Sequence, residues 1–481
     1  MNPFIKKALP WTAFILLVNF AIPPFQNPDE PQHFAAIMRF ARGQDRNKET
    51  QKDIIRFMDR NEWWRFIGIG RPVSLPEKLE KVPFLMGYHE VADYTRLLND
   101  VLFYHFLLGK SLGVSAKSDI GFAYFLARLI TVLIFVGALF VFYSLFRRPA
   151  LNPGQAGETA LFGSGFLFIL FLPQFIVAAC AVNPDSVSIF VGAVFFYMAF
   201  SILMGKQRVG ALTGLFFAAV CGSVMDRSNL SLIPLSFLVI LLGVGRKNWR
   251  KTLALILVFI GAFAALYFAF HLFLPAQIEK VLSNAKSYLS RASFGEIFSL
   301  SPMNRIFLRG LMDSFLLKFG WSAYESIPIA YFIWKIFLAI SGLGIVFWSA
   351  RAVIAKRKGR ETASIPEDAL IVGTSVGARL PRMVFFSLTA AFLQILAIRL
   401  VATPDNLYIQ GRYLFALIAP LAFLFVFGLK EFFDAFSKKA ELGALVLKAF
   451  LILEFFFLNY ALWHDIIPVF HLTLKSAHAG V

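Results

Sequence analysis

Apolar runs of about 16–25 residues recur along the chain, and each is long enough to cross a hydrocarbon core of roughly 30 Å as a helix. Lipid offers no partner to backbone N–H and C=O groups, so a segment inside a bilayer must satisfy them itself. A helix does so within one segment. A chain with many such runs is therefore expected to be all-α, a polytopic integral membrane protein. Composition agrees: of 481 residues, 58% are hydrophobic and 57 are Phe, and the mean hydropathy is +0.68, well beyond a soluble protein. The first run, about Pro10 to Pro24, is not followed by a small-residue cleavage site and reads as a retained helix rather than a signal peptide.

The formal net charge of +18 would suggest nucleic acid in a soluble protein. Here much of it lies in short loops, the positive-inside pattern, which reports topology and contact with anionic lipid. No nucleic acid is expected as a partner; membrane lipids are. Lys6 and Lys7 place the N-terminus in the cytoplasm. Basic loops follow at Arg147-Arg148, Lys206/Arg208, Arg246 to Lys251, Arg351 to Arg360 and Lys430 to Lys439. Assigning all of them to the cytoplasm yields about eleven helices, near 9–24, 121–146, 158–181, 185–204, 210–226, 229–243, 252–275, 326–350, 382–402, 412–430 and 444–463. The pair at 210–243 is short, and a re-entrant hairpin is its alternative.

The whole chain, 1–481, then forms a single membrane domain with two large extracytoplasmic loops, 25–120 and 276–325, and a basic cytoplasmic loop, 351–381. Both outer loops mix Trp, Phe and charge (Glu62-Trp63-Trp64-Arg65-Phe66; Phe315 to Trp321), as amphipathic helices lying on a membrane or roofing a cavity would. Leu97 to Leu112, interrupted by Asn99, Asp100, His105 and Lys110, reads as an interfacial helix. Cys180 and Cys221 form no disulfide framework or CxxC pair. Lys335 and Glu454 fall deep in helices, where ionisable groups are functional candidates, or else pair with each other to hold helices together.

The stretch PPFQNPDEPQHFAAIMRFARG, Pro23 to Gly43, places Asp29, Glu30 and His33 just past the first helix. Locally this is a helix start: Asn27 can cap, Pro28 suits the first position, and early carboxylates complement the dipole. Phe34, Ile37, Met38 and Ala41 form one apolar stripe at helical spacing, as an interfacial helix needs. The signature recurs at Asn183-Pro184-Asp185 and Thr403-Pro404-Asp405. On this topology all three turns face outside and can converge on one face, although helix initiation explains the recurrence equally well.

Pro-Asp-Glu-Pro-Gln-His-Phe after the first helix, Asn-Pro-Asp after the third, Phe319-Gly320-Trp321 in the second loop and Gln410-Gly411-Arg412-Tyr413-Leu414 before the penultimate helix resemble the DUF2142 family of bacterial membrane proteins. Relatives of that family belong to the GT-C superfamily of glycosyltransferases. The likeness runs along nearly the whole chain in the family's order, with Gln32 where a small residue is common. It implies a GT-C-like fold in a bacterial cytoplasmic (inner) membrane. It also implies an enzyme that takes sugar from a polyprenyl-phosphate or polyprenyl-diphosphate carrier on the extracytoplasmic side and passes it to a glycan acceptor. The acidic pair or single carboxylate such enzymes carry in the first outer loop maps onto Asp29 and Glu30.

Chemistry at the headgroup level suits these positions, because the polyprenyl tail keeps the anomeric carbon at the membrane surface. An inverting transfer needs a carboxylate to accept the acceptor's proton. Positions i and i+1 on a helix diverge by about 100°, so one of the pair, with Asp29 favoured, is expected to face substrate. His33 can orient either, or be a plain interfacial His. Arg412, flanked by Gln410 and Tyr413, is the first choice for the donor phosphate, since an Arg fork grips phosphate oxygens; its alternative is snorkelling. Arg128, Arg227 and Arg399 are further phosphate candidates, or structural. Asn183, Asp185, Asp405, Trp321 and Tyr324 are candidates for the substrate or acceptor cavity, the two aromatics stacking on a sugar or merely sitting at the interface. No DxD-type metal spacing is present, and a divalent cation is the one cofactor left open. Two other readings remain: a ligase or polymerase moving a whole lipid-linked glycan, and a transporter or flippase, which predicts inverted repeats and broken helices.

Overall fold

The computed structural model describes residues 3–22, 24–25, 29–43, 47–61, 103–113, 119–146, 156–205, 209–244, 249–273, 302–316, 318–319, 324–325, 328–361, 379–401, 411–436 and 442–466. Every one of the eleven apolar runs is helical. In order the helices are α1 (Pro3–Ala21), α2 (Glu30–Arg42), α3 (Asn47–Arg60), α4 (Phe103–Leu112), α5 (Ile120–Phe146), α6 (Ala156–Phe171), α7 (Pro173–Ala179), α8 (Asp185–Leu203), α9 (Val209–Met225), α10 (Leu232–Val244), α11 (Trp249–Phe273), α12 (Pro302–Leu316), α13 (Pro328–Glu361), α14 (Arg379–Val401), α15 (Ile418–Phe436) and α16 (Leu442–Tyr460). Tight 3-10 turns precede α10 and α15, at Arg227–Ser231 and Gly411–Leu417. A two-residue antiparallel ribbon pairs Phe319 with Tyr324, and Lys318 with Glu325.

Among the described residues, six segments are long and apolar enough to cross a membrane: Ile120–Phe146, Asp185–Leu203, Ile329–Ile354, Leu380–Arg399, Arg412–Phe436 and Leu445–His464. Four apolar segments are shorter, Leu9–Ala21, Val209–Met225, Asn229–Gly243 and Thr252–Ala265. Helices α9 and α10, with 17 and 13 residues, measure roughly 26 and 20 Å at 1.5 Å per residue, less than a typical core thickness.

Three sequence expectations are corrected. The run at 158–181 is two helices, because Pro173 has no N–H to donate and disfavours helical backbone at the residue before it; Leu172 is extended, at φ −71° and ψ 108°. Helix α13 continues through Arg351 to Glu361, so the basic stretch assigned to a loop begins as helix. At 34 residues it is roughly 51 Å long, well over one hydrocarbon thickness. The start of α2 has Asp29 rather than Asn27 at the cap, with Pro31 inside the first turn, where a missing N–H is harmless.

The main core is built from interlocking rings. Phe168 packs on Trp334 and Phe425, Phe175 on Phe135 and Phe415, and Phe200 on Phe386 and Phe423. A second, smaller core lies at the N-terminal end of α5. There Phe25, Phe34, Ile37, Met38, Ile54, Met58, Tyr104, Leu108 and Tyr124 are buried together. Helices α2 and α4, expected at the interface, are therefore packed into protein, with the stripe of Phe34, Ile37 and Met38 turned onto α3, α4 and α5.

Candidate functional site

The adjacent carboxylates Asp29 and Glu30 go to different places. Glu30 turns inward and is completely buried against Arg128. Nε of Arg128 donates to one carboxylate oxygen at 3.1 Å and Nη2 to the other at 3.2 Å. Nη1 donates to the carbonyls of Asn19 and Ile22 at 3.1 and 2.7 Å. The last carbonyls of a helix lack partners within it, so the guanidinium closes the end of α1 as well as the ion pair. Glu30 also accepts the Val182 N–H at 2.9 Å. A planar fork of five donors can serve this many acceptors at once, and an ammonium cannot. The Arg128 guanidinium stacks 5.0 Å from the Tyr124 ring, and the Tyr124 hydroxyl accepts the Phe25 N–H at 2.9 Å. Thus α1, α2, α5 and the 180–184 turn are tied to one buried pair.

Asp29 points elsewhere. Its backbone is left-handed, φ 63° and ψ 0°, a conformation Asp tolerates better than most residues. Its side chain remains 31% exposed and meets Nη2 of Arg412, whose own side chain is only 6% exposed. Nη1 of Arg412 lies 3.5 Å from Asp185. One fork therefore bridges two of the Pro-Asp turns singled out in the sequence. Asn183 holds Asp185 in place, donating to its carboxylate at 2.9 Å and accepting its N–H at 3.1 Å. Arg412 is positioned by the 3-10 turn it occupies. Gln394 of α14 donates to the Tyr413 carbonyl at 2.8 Å and accepts from Ser231. Gly192 of α8 lets the turn press close, since a Cβ there would sit 2.1 Å from the Ala416 carbonyl oxygen.

Two further groups complete the cluster, neither of them evident from sequence. Asp226, in the turn after α9, accepts from Ser188 at 2.5 Å, and Asn229 donates to Ser188 at 3.2 Å. Asp185 lies within electrostatic reach of Arg412, Asp226 and Asp29. Two carboxylates thus flank one guanidinium, with Asp226 within electrostatic reach of Asp185, and Tyr413 stacks beside the guanidinium at 5.7 Å. Only the position of Asp226 in the turn between two apolar runs could have drawn attention to it.

The second group is His105. Its Nε2 is 2.9 Å from Nδ1 of His33, and the two rings are stacked. His33 therefore pairs with another imidazole rather than with Asp29 or Glu30. The close approach is built at Gly109, one turn along α4, where a Cβ would meet the Ile37 carbonyl of α2 at 2.6 Å. Burial, and then the charge of Arg412, lower the His33 pKa from 6.5 to about 3, so the ring is neutral at physiological pH. Burial raises the neighbouring Tyr104 phenol above its usual range.

Other candidates are placed apart. Nε of Arg399 donates to Asn304 of α12 at 2.6 Å, with its guanidinium 5.8 Å from the Phe307 ring. Lys335 and Glu454 do not pair. Lys335 approaches Asp313 at 3.8 Å, while the buried Glu454 carboxylate faces the Trp334 side chain. Lys335 sits next to Trp334, which packs on Phe450 of α16, and adjacent helical positions diverge by about 100°. Asp405, Gln410 and Trp321, the Arg227 side chain and the Tyr324 side chain lie outside the described residues. Among the described residues, no group of three or more His, Cys, Asp or Glu side chains is arranged to hold a metal ion. Cys180 and Cys221 are free thiols.

Stacked apolar helices and a polar cluster gathered at the helix ends define a multi-pass, helical membrane protein. The chain matches the model of one protein family, described as predicted membrane protein (DUF2142), over residues 13–422. It belongs to that family. No curated protein and no solved structure matches it.

Proposed function

We propose that the protein is an extracytoplasmic glycosyltransferase that takes its sugar from a polyprenyl-phosphate or polyprenyl-diphosphate carrier and contributes to a cell-surface polysaccharide. The observation that carries this reading is the different fate of two neighbouring carboxylates. Glu30 is wholly enclosed and structural, whereas Asp29 is partly open, sits at a helix end and is oriented by Arg412.

In the proposed reaction the acceptor hydroxyl gives its proton to Asp29 as its oxygen attacks the anomeric carbon. The bond from that carbon to the carrier phosphate breaks on the opposite face, and the phosphate leaves with the electron pair. The configuration inverts. Arg412 holds the Asp29 carboxylate at a defined angle and is itself held by Asp185. Its two terminal nitrogens are both engaged by carboxylates, so it acts on the base first and reaches a phosphate only by releasing one of them. His33, neutral and bonded to His105, lines the same region without adding charge. No step is routed through a metal.

The test is sugar transfer in native membranes supplied with a radiolabelled polyprenyl-phosphate sugar. Asp29→Asn, present at the wild-type amount and equally resistant to heat, is expected to lose roughly 10²–10⁴-fold in rate, the usual contribution of a positioned base. Transfer by Asp29→Asn at the wild-type rate would falsify the assignment.

A further inference from the structure

Helix α12 is an amphipathic helix packed against the turn that carries Arg412. Its buried face presents Asn304 to Arg399 and Phe315 to Phe415, the latter pair 5.6 Å apart. Its opposite face is exposed and carries Arg305, Ile306, Leu308 and Arg309. Exposed apolar residues beside Arg on a helix at the membrane boundary are the composition of a helix lying among lipid headgroups.

Helix α13 supplies the other wall. It begins a membrane span, and Ile329, Phe332 and Ile336 are exposed along it. In that lipid-facing setting stands Lys335, 54% exposed. Its ammonium is 3.8 Å from Asp313 of α12, and Nε of Arg309, 80% exposed, is 3.5 Å from the same carboxylate. Two largely open cations thus share one acid, at distances longer than good charge-assisted hydrogen bonds, and Arg305 adds a third charge one turn away. Among the described residues the local surplus is positive, and it is framed by exposed apolar side chains.

We propose that Arg305, Arg309 and Lys335 form a binding site for the phosphate of an anionic phospholipid of the outer leaflet. The lipid's acyl chains lie along Phe332 and Ile336. Its phosphate takes the place that Asp313 fills only in part. Because the reverse face of α12 holds Arg399 and packs on Phe415, the lipid braces the turn bearing Arg412. This inference is independent of the glycosyltransferase reading.

The experiment places a bimane at Leu308→Cys, with Cys180 and Cys221 replaced by alanine, in nanodiscs of phosphatidylcholine doped with headgroup spin-labelled phosphatidylglycerol or phosphatidylcholine. Quenching by the phosphatidylglycerol probe is expected to exceed that by the phosphatidylcholine probe. The preference should fall about fivefold for each cation replaced by glutamine, the effect of one basic residue near an anionic surface. Asp313→Asn, which removes the competing acid, should strengthen it. Equal quenching by the two lipids, or a preference that survives the Arg305→Gln/Arg309→Gln/Lys335→Gln variant, overturns the proposal. Displacement of phosphatidylglycerol by a trace of polyprenyl phosphate overturns the choice of phospholipid.

Discussion

Replacing Arg128 with leucine should open the part of the molecule tied together by the Glu30–Arg128 pair. The substitution leaves Glu30 buried with its charge uncompensated and strips the carbonyls of Asn19 and Ile22 of their donor. Breaking a buried pair by removing one partner costs about 3–5 kcal/mol, equivalent to a roughly 150- to 5,000-fold larger open population. The thiol of Cys180 is a built-in reporter: it is buried, and its nearest acceptor is the Ile15 carbonyl of α1, 3.7 Å away. Its rate of alkylation in detergent, with Cys221 replaced by alanine, should rise by that factor if opening is rapid relative to labelling. Glu30→Gln keeps an acceptor for the Val182 N–H but leaves Arg128 unpaired, so it should also accelerate labelling. Combining the two removes the orphaned charge. The double variant is therefore expected to open less than Arg128→Leu alone. A rise of under tenfold for Arg128→Leu, or a double variant whose effect is the product of the two singles, would show that the pair is not coupled as described.

Arg412→Lys should fail to replace the native residue. Its single ammonium cannot bridge Asp29 and Asp185 with the geometry of a fork, so transfer should fall about as far as in Arg412→Gln; wild-type-like transfer by the lysine variant would contradict the bridging role. His33 makes the packing of α2 on α4 sensitive to acid. An unfolded His takes up a proton near pH 6.5, whereas the folded ring resists protonation until about pH 3. The unfolded state therefore binds more protons between those values, and stability falls as pH drops through that window, by at most about 1.4 kcal/mol per pH unit. Unfolding followed by intrinsic fluorescence should show a weaker acid dependence in His33→Asn, and an unchanged dependence would exclude His33 as the cause.

The positions of the eleven apolar runs were legible because lipid imposes length and hydrogen bonding together. Pro173 was also legible, as punctuation, yet its run reads smoothly in hydropathy, and only the missing donor splits it. The Pro-Asp turns and the Arg412 segment were marked by their residue types, and Asp29, Asp185 and Arg412 do come together. The pairing of Glu30 with Arg128 could not be read from spacing, because it depends on two segments 98 residues apart meeting end to side. His33 with His105 and Ser188 with Asp226 are hidden for the same reason: each joins separate elements through packing that local periodicity does not encode. The division of cation roles was likewise invisible. Arg128 and Arg399 look alike in sequence, but one closes a helix end and the other secures a surface helix.

The bridge between Asp29 and Arg412 joins positions 383 residues apart. At synthesis rates of about 5–20 residues per second, roughly 20–80 s pass between the emergence of the carboxylate and that of its guanidinium. Throughout that interval the Asp29 carboxylate lacks the guanidinium that faces it in the finished fold. The Asp29 side chain is thus set in place only once the segment bearing Arg412 has been made, and a chain truncated before it carries the carboxylate without the group that orients it.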